Sequence, residues 1–292
     1  MLFTRVLTAA ALVVVLFYSI SFAESSLMAM AFLGVCMMLA GTEFIALRWH
    51  VIDGFGHTQF PRPPFRKEHF GIGLLYALSL PVYYAGELHF GANDARALGL
   101  VFAWMAFCMI LGSAFFYRRE IDLEFATHKL MNGLAGVAYI AIPGLTMFKL
   151  SQISIPDAPR GIALYFSLAV VLMGDTGGYF AGRLFGRTPL IPKVSPKKTL
   201  EGAAGGLLFS CLTGVFLCLY FHLPFHWGTA AVFATLAGLA GQIGDLAESA
   251  LKRAANCKDS GNLLPGHGGM LDRIDALLFG VPFSYLVFLF IS

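Results

Sequence analysis

Nine apolar runs, each close to the ~20 residues a helix needs to cross a bilayer, constrain this chain more than any other feature. They lie near residues 6–22, 27–47, 71–87, 98–116, 132–149, 161–177, 203–222, 229–247 and 276–291. Hydrocarbon offers no water to backbone N–H and C=O groups, so runs of this length fold as helices that satisfy their own backbone. The expected fold is therefore all-α, a polytopic integral membrane bundle of about nine transmembrane helices. Charged residues make up only 13% of the sequence, against roughly 25% in soluble domains. Arg5 and Ser21-Phe22-Ala23 give the first run some character of a signal sequence, but another apolar segment follows within a few residues, which favours a retained first helix. Pro81 and Pro143 predict kinks in the third and fifth spans. Five cysteines without a CxxC pair point to neither a disulfide framework nor a zinc site.

Basic residues set the orientation. With the N-terminus in the cytoplasm, only Arg96, Lys149 and Arg160 of the 20 Lys and Arg fall outside. Cytoplasmic loops carry the Lys/Arg excess, so this bias supports nine spans with the C-terminus outside. On that map the polar segments near 175–202, 241–252 and 258–275 all reach the cytoplasmic face, where a soluble nucleotide has access. The N-terminal part, residues 1–155, reads as helices for bundle support, lipid contact or a subunit interface. Residues 156–292 read as the catalytic transmembrane region.

Ser249 to Asp275 is a dense mixture of carboxylates, basic side chains and glycines, and charge in a membrane protein is seldom kept without a use. Helical spacing puts Asp245, Glu248, Ser249 and Lys252 on one face at the cytoplasmic end of the eighth span, whose partly negative C-terminus favours a cation. Ala237, Gly241 and Gly244 would let another helix approach that span closely. Asp272 and Asp275 share a face at the start of the ninth span, where helix capping accounts for one aspartate better than two. Asp245 and Asp272 could together supply a hard divalent cation with the one or two carboxylates it takes besides water and phosphate oxygens. Between them, Pro265-Gly266-His267-Gly268-Gly269 is a turn-rich loop whose backbone N–H groups suit an anion. His267 is either a phosphate donor or general acid, or the owner of a local hydrogen bond. Lys258 and Asp259 either contact substrate or pair inertly.

Two further segments are polar. Ser195 as N-cap with Pro196 at the first helical position predicts the start of the seventh span there, with Lys197 and Lys198 beside free N–H groups as an anion site. Asp175, in Gly174-Asp175-Thr176-Gly177-Gly178-Tyr179, is either a metal or substrate contact or a structural partner of Arg183.

These residues carry a resemblance. Ser249, Lys252, Arg253, Lys258, Asp259, Gly261, Leu264, Pro265, His267, Gly268, Gly269, Asp272, Arg273 and Asp275 match without a gap the signature S-x-x-K-R-x4-K-D-x-G-x2-L-P-x-H-G-G-x2-D-R-x-D. The chain thereby resembles the phosphatidate cytidylyltransferases, or CDP-diacylglycerol synthases. The blocks at 175–187, 192–202 and 244–249 are similar too, with Gly177 and Gly178 standing where alanines are often expected. The resemblance covers roughly residues 160–290. It implies a multi-pass enzyme of the cell membrane, its active site facing the cytoplasm, that condenses CTP with phosphatidic acid to CDP-diacylglycerol and pyrophosphate. It also implies Mg²⁺, with a second cation as an option, contact with membrane lipids, a homodimer, and no nucleic-acid partner. By the same resemblance Asp245 and Asp272 hold the metal, and Lys252, His267 and Asp275 join them as catalytic candidates. Asp175, Lys197, Lys198, Ser249, Arg253, Lys258, Gly268, Gly269 and Arg273 are the candidates for substrate contact. Two rival readings are a cytidylyltransferase acting on another lipid phosphate, such as an isoprenoid one, and a secondary anion transporter. Transporters usually place their charged site near the bilayer midplane between repeated halves, and here the charges lie at cytoplasmic ends of one motif-rich half.

Overall fold

A computed structural model of the chain describes residues 18, 26–52, 65–91, 95–119, 123–261 and 268–291. Among these, six helices are long and apolar enough to cross a membrane: Leu27–Val51, Ala95–Gly112, Leu123–Gln152, Ile162–Phe185, Leu200–Tyr220 and Trp227–Ala254. The protein is thus a mostly helical, multi-pass membrane protein. The first expected run, 6–22, lies outside the described residues.

The described helices are α1 (Leu27–Ile52), α2 (Lys67–Ala77), α3 (Ser79–Phe90), α4 (Ala95–Arg119), α5 (Leu123–Gly136), α6 (Ile142–Gln152), α7 (Ile162–Phe185), α8 (Leu200–Tyr220), α9 (Trp227–Ala254) and α10 (Leu271–Ile291). Both expected proline distortions are present, each with its own form. The run at 71–87 is two helices broken at Leu78, because Pro81 has no N–H to offer the carbonyl one turn back. Ahead of Pro143 the backbone widens into a π-turn over Val137–Ala141, which joins α5 to α6 without a break.

The chain divides into two compact units. Among the described residues the first comprises 27–145 and 254–272, and the second 146–253 and 273–291. In the first, α1 and α2 meet where Gly73 lies on the Met38 carbonyl and Thr42 Oγ1. Tyr76 Oη donates to the Gly133 carbonyl at 2.7 Å, tying α2 to α5. Arg48 Nε donates to Asn132 Oδ1 at 2.8 Å, tying α1 to α5.

The second unit is built on small-residue seams. On α8, Gly202, Gly206, Ser210, Gly214 and Cys218 are buried at four-residue spacing, while Leu208, Leu212, Phe216 and Leu219 are exposed. Large apolar side chains outside and small ones inside is the arrangement expected where lipid, not water, is the solvent and helices associate by close packing. Ser210 Oγ donates to the Val170 carbonyl on α7 at 3.0 Å, and Gln242 Nε2 on α9 donates to the Ala203 carbonyl at 3.1 Å. A Cβ on Gly206 would stand 2.9 Å from the Gly174 carbonyl oxygen and 2.7 Å from Gln242 Nε2.

One stretch corrects the helix start read from the sequence. Ser195–Thr199 is a strand, β2, paired antiparallel with β1 (Pro189–Ile191), so Ser195 is not an N-cap and Pro196 is not a first helical residue. Proline's fixed φ also suits a strand at a sheet edge, and a two-stranded ribbon has only edges. Helix α8 begins five residues beyond Ser195, at Leu200, where Thr199 Oγ1 accepts from Gly202 N at 3.1 Å. This hairpin is the addition to an otherwise helical fold among the described residues.

Gly206→Leu is expected to lower the unfolding midpoint of the detergent-solubilised protein, since forced overpacking costs about 1–3 kcal/mol. Leu208→Ala, on the exposed face of the same helix, is expected to change stability by less than about 0.5 kcal/mol. Equal effects from the two, measured by thermal unfolding, would refute the seam.

Candidate functional site

In the second unit, Asp245 on α9 pairs with Lys198 from β2. Ser249, one helical turn along, places its hydroxyl 3.5 Å from Asp245 Oδ1. Asp175 from α7 interacts electrostatically with both Asp245 and Lys198. Asp275 from α10 interacts with Asp245, Asp175 and Lys252. Three helices and the hairpin therefore bring three carboxylates and two lysines together. Close approach explains how: Gly244, just before Asp245, has the Asp275 carbonyl where a side chain would stand. The α9 glycines read from the sequence as a helix-approach surface receive α10 here, and Gly241 also meets the Ala276 carbonyl and Val171.

On the same face of α9, Lys252 also has a second carboxylate partner. Glu248 is fully buried and forms an ion pair with Lys252, whose side chain is 14% exposed. Arg253 is exposed but donates from Nε to the Val194 carbonyl at 3.2 Å, holding the turn of the hairpin. Strand geometry separates the two adjacent lysines, since successive side chains point to opposite faces. Lys198 reaches Asp245, and Lys197 is exposed. This differs from the expected pairing of both lysines at a helix N-terminus. Of the alternatives for Asp175, its basic partner is Lys198, whereas Arg183 Nη1 donates to Tyr179 Oη at 3.1 Å. Glu201 receives the backbone N–H groups of Arg187 at 3.1 Å and Thr188 at 3.2 Å, fixing the strand entry. Arg273 is exposed at the start of α10.

In the first unit, Asp272 Oδ2 accepts from Ser260 N and from Gly269 N, each at 3.0 Å. It ties the two ends of the glycine loop to the first turn of α10, and this differs from the expected N-cap, because neither donor is an amide of α10 itself. Gly268 has φ +85°, a left-handed conformation that glycine adopts without the Cβ penalty. Lys258 is exposed. His267 lies outside the described residues.

One residue of this cluster was not singled out from the sequence. Glu43, in the middle of α1, is fully buried. It accepts from Ser260 Oγ at 2.9 Å, Met270 N at 3.1 Å and Leu271 N at 2.8 Å. The available signal was an acidic residue inside the apolar run 27–47, since ionisable groups in a span face the protein interior and have partners.

No group of three or more His, Cys, Asp and Glu side chains able to hold a metal ion occurs among the described residues. The oxygen donors present suit a hard divalent cation of the Mg²⁺ type, which needs one or two carboxylates and completes its shell with water and phosphate oxygens. Asp245 in the second unit and Asp272 in the first are carboxylates of that chemical type.

Comparison with known proteins shows what the chain is similar to. The model of the cytidylyltransferase family matches residues 3–291. The chain is 35% identical over 225 residues to the phosphatidate cytidylyltransferase of Helicobacter pylori, covering 71% of this chain and 82% of that protein. It is 42% identical over 124 residues to the protein of the same name from Bacillus subtilis, covering 42% of this chain and 46% of that one. With the Brucella suis protein of that name it shares 41% identity over 153 residues, 52% of this chain and 55% of that one. The matched region thus spans about half the length of the Bacillus and Brucella relatives.

Lys252→Met leaves the buried Glu248 carboxylate without its ion-pair partner and is expected to destabilise by about 3–5 kcal/mol. The double change Lys252→Met/Glu248→Gln removes both charges and is expected to recover most of that loss. Thermal unfolding of the three proteins checks it, and a double variant no more stable than Lys252→Met would contradict the pairing.

Proposed function

The chain belongs to the cytidylyltransferase family, and from that premise we propose that it transfers the CMP moiety of CTP to phosphatidic acid, giving CDP-diacylglycerol and pyrophosphate. The observation that carries this reading is the relation to the Helicobacter pylori phosphatidate cytidylyltransferase across 82% of that protein's length. The carboxylate and lysine cluster around Asp245 supports it independently of any likeness.

A phosphate monoester is largely dianionic near neutral pH, its second pKa being about 6, so phosphatidate needs no dedicated base. One of its oxygens attacks the α-phosphorus of CTP while the bond to the β-phosphate oxygen breaks, and pyrophosphate leaves. The work left to the protein is to hold two mutually repelling anions in line and to neutralise charge as the leaving group forms. Lys198 and Lys252 present positive charge beside the carboxylates of the second unit. Lys197, Lys258, Arg253 and Arg273 are exposed cationic groups for the triphosphate or the lipid phosphate. Ser249 and Gly268 add a hydroxyl and a backbone donor, Gly269, whose own N–H goes to Asp272, is proposed to contact substrate beside them, and His267 is assigned the role of a hydrogen-bond donor to phosphate. Asp245 and Asp272 are the carboxylates assigned to Mg²⁺, with Asp175 and Asp275 as the neighbouring acidic groups that raise the negative potential at Asp245. Bound Mg²⁺ would supply charge neutralisation on the phosphate oxygens.

The reading extends to placement. Nine spans put the N-terminus and these groups on the cytoplasmic side of the cell membrane and the C-terminus outside, the arrangement supported by the Lys/Arg bias. CTP then arrives from the cytoplasm and phosphatidate from the inner leaflet. A homodimer is the assembly proposed.

Asp245→Asn and Asp272→Asn are each expected to abolish pyrophosphate release from CTP and phosphatidate while leaving the elution profile in detergent unchanged; near-normal turnover in either would refute its metal role. Acceptor competition in mixed micelles separates phosphatidate from isoprenoid phosphates, and preference for the latter would replace the proposed acceptor. A tag after Ser292 is expected to be labelled only from outside intact cells, and cytoplasmic labelling would overturn the nine-span topology.

A further inference from the structure

Glu43 stands far from the signature in sequence, and its bonds to the loop are specific. Its carboxylate takes one side-chain hydroxyl, Ser260 Oγ, at the start of the glycine loop, and two consecutive amides, Met270 N and Leu271 N, at its end. The two amides belong to the N-terminus of α10, where N–H groups have no partner within the helix and the dipole favours negative charge. Glu43 therefore caps α10 from another helix.

The glycines around it fit that role. A Cβ on Gly261 would overlap the Glu43 carboxylate, and a Cβ on Gly269 would overlap both that carboxylate and Ser260 Oγ. Two signature glycines are thus small because Glu43 occupies the space beside them. The same two loop ends, through Ser260 N and Gly269 N, are the donors that fix Asp272 Oδ2. Glu43 and Asp272 grip one backbone from two sides: the first holds the Ser260 hydroxyl and the amides of 270 and 271, the second the amides of 260 and 269.

We infer that Glu43 is a positioning residue for the cytidylyltransferase reaction: it fixes the ends of the 260–271 loop and, through Ser260 and Gly269, the orientation of the Asp272 carboxylate. It touches no reacting atom in this role. The inference rests on the proposed function for its catalytic consequence and on the hydrogen bonds above for its structural one.

Glu43→Gln keeps the shape of the side chain but replaces one acceptor oxygen with an NH₂ donor, which cannot accept from three donors. Hydrogen exchange followed by mass spectrometry is expected to show faster exchange confined to the 258–272 segment, without change in the other helices. Turnover of CTP with phosphatidate is expected to fall roughly 10- to 100-fold, the range typical when the groups orienting a metal ligand are lost. Unchanged exchange in 258–272, or turnover within about twofold of the parent chain, overturns the inference. Acceleration spread evenly over all helices also overturns it, because that outcome marks a contribution to global stability alone. If Glu43→Gln yields no folded protein, Gly261→Ala, which puts a methyl group where the carboxylate lies, decides by the same two readouts. The unsubstituted protein is assayed alongside: inactivity there defeats the proposed function, and the exchange comparison still decides the role of Glu43.

Discussion

A charge placed in hydrocarbon must be met where it stands, and the structure is organised around that constraint. Glu43 shows it most directly. Fully buried in an apolar helix, its carboxylate has three donors at hydrogen-bond distance. Glu248 shows the ionic version, a carboxylate with no exposure held by a lysine one turn away. An apolar residue of similar volume would fill either place at lower cost in desolvation. What the apolar residue lacks is the ability to fix donors in a set geometry, which is where both carboxylates act.

The second unit extends the same logic to helix packing. Without a hydrophobic drive between helices in lipid, contact has to come from close fit and a few polar links. The buried stripe of α8 supplies the fit, and Ser210 and Gln242 supply links to the α7 and α9 sides. At the end of this seam the glycine that admits α10 is next to Asp245. The packing rule and the gathering of carboxylates are therefore one feature: the small residue that lets two backbones approach also brings Asp245 and Asp275 within electrostatic reach.

The sequence made the helices from residue 27 onward legible because hydropathy reports the solvent directly, and it made the signature legible because so many fixed polar positions sit close together. Local ambiguity hid the hairpin. Ser-Pro before a lysine pair is as compatible with a strand edge as with a helix start, and the pairing that decided between them came from Pro189–Ile191, a segment with no alternating pattern long enough to read. Distance hid Glu43. Its partners lie 217 to 228 residues away along the chain, and no periodicity in α1 points to them. The separate placing of Lys197 and Lys198 follows from the hairpin, because adjacent residues share a region on a helix end but face opposite ways on a strand.

Charge balance carries the argument one step further. Asp175, Asp245 and Asp275 share Lys198 and Lys252, and Lys252 is already paired with the buried Glu248. Four carboxylates against two lysines leave the cluster acidic. An acidic cluster repels a free triphosphate and attracts a cation. On the proposed function the nucleotide is therefore recognised as its cation complex, in which the charges of carboxylates and phosphates are both offset. The exposed Lys197, Arg253 and Arg273 of the same unit meet the remaining phosphate charge at the solvent side. On that reading acidic groups stand beside an anionic substrate because they select its cation-bound form, which the basic groups then retain.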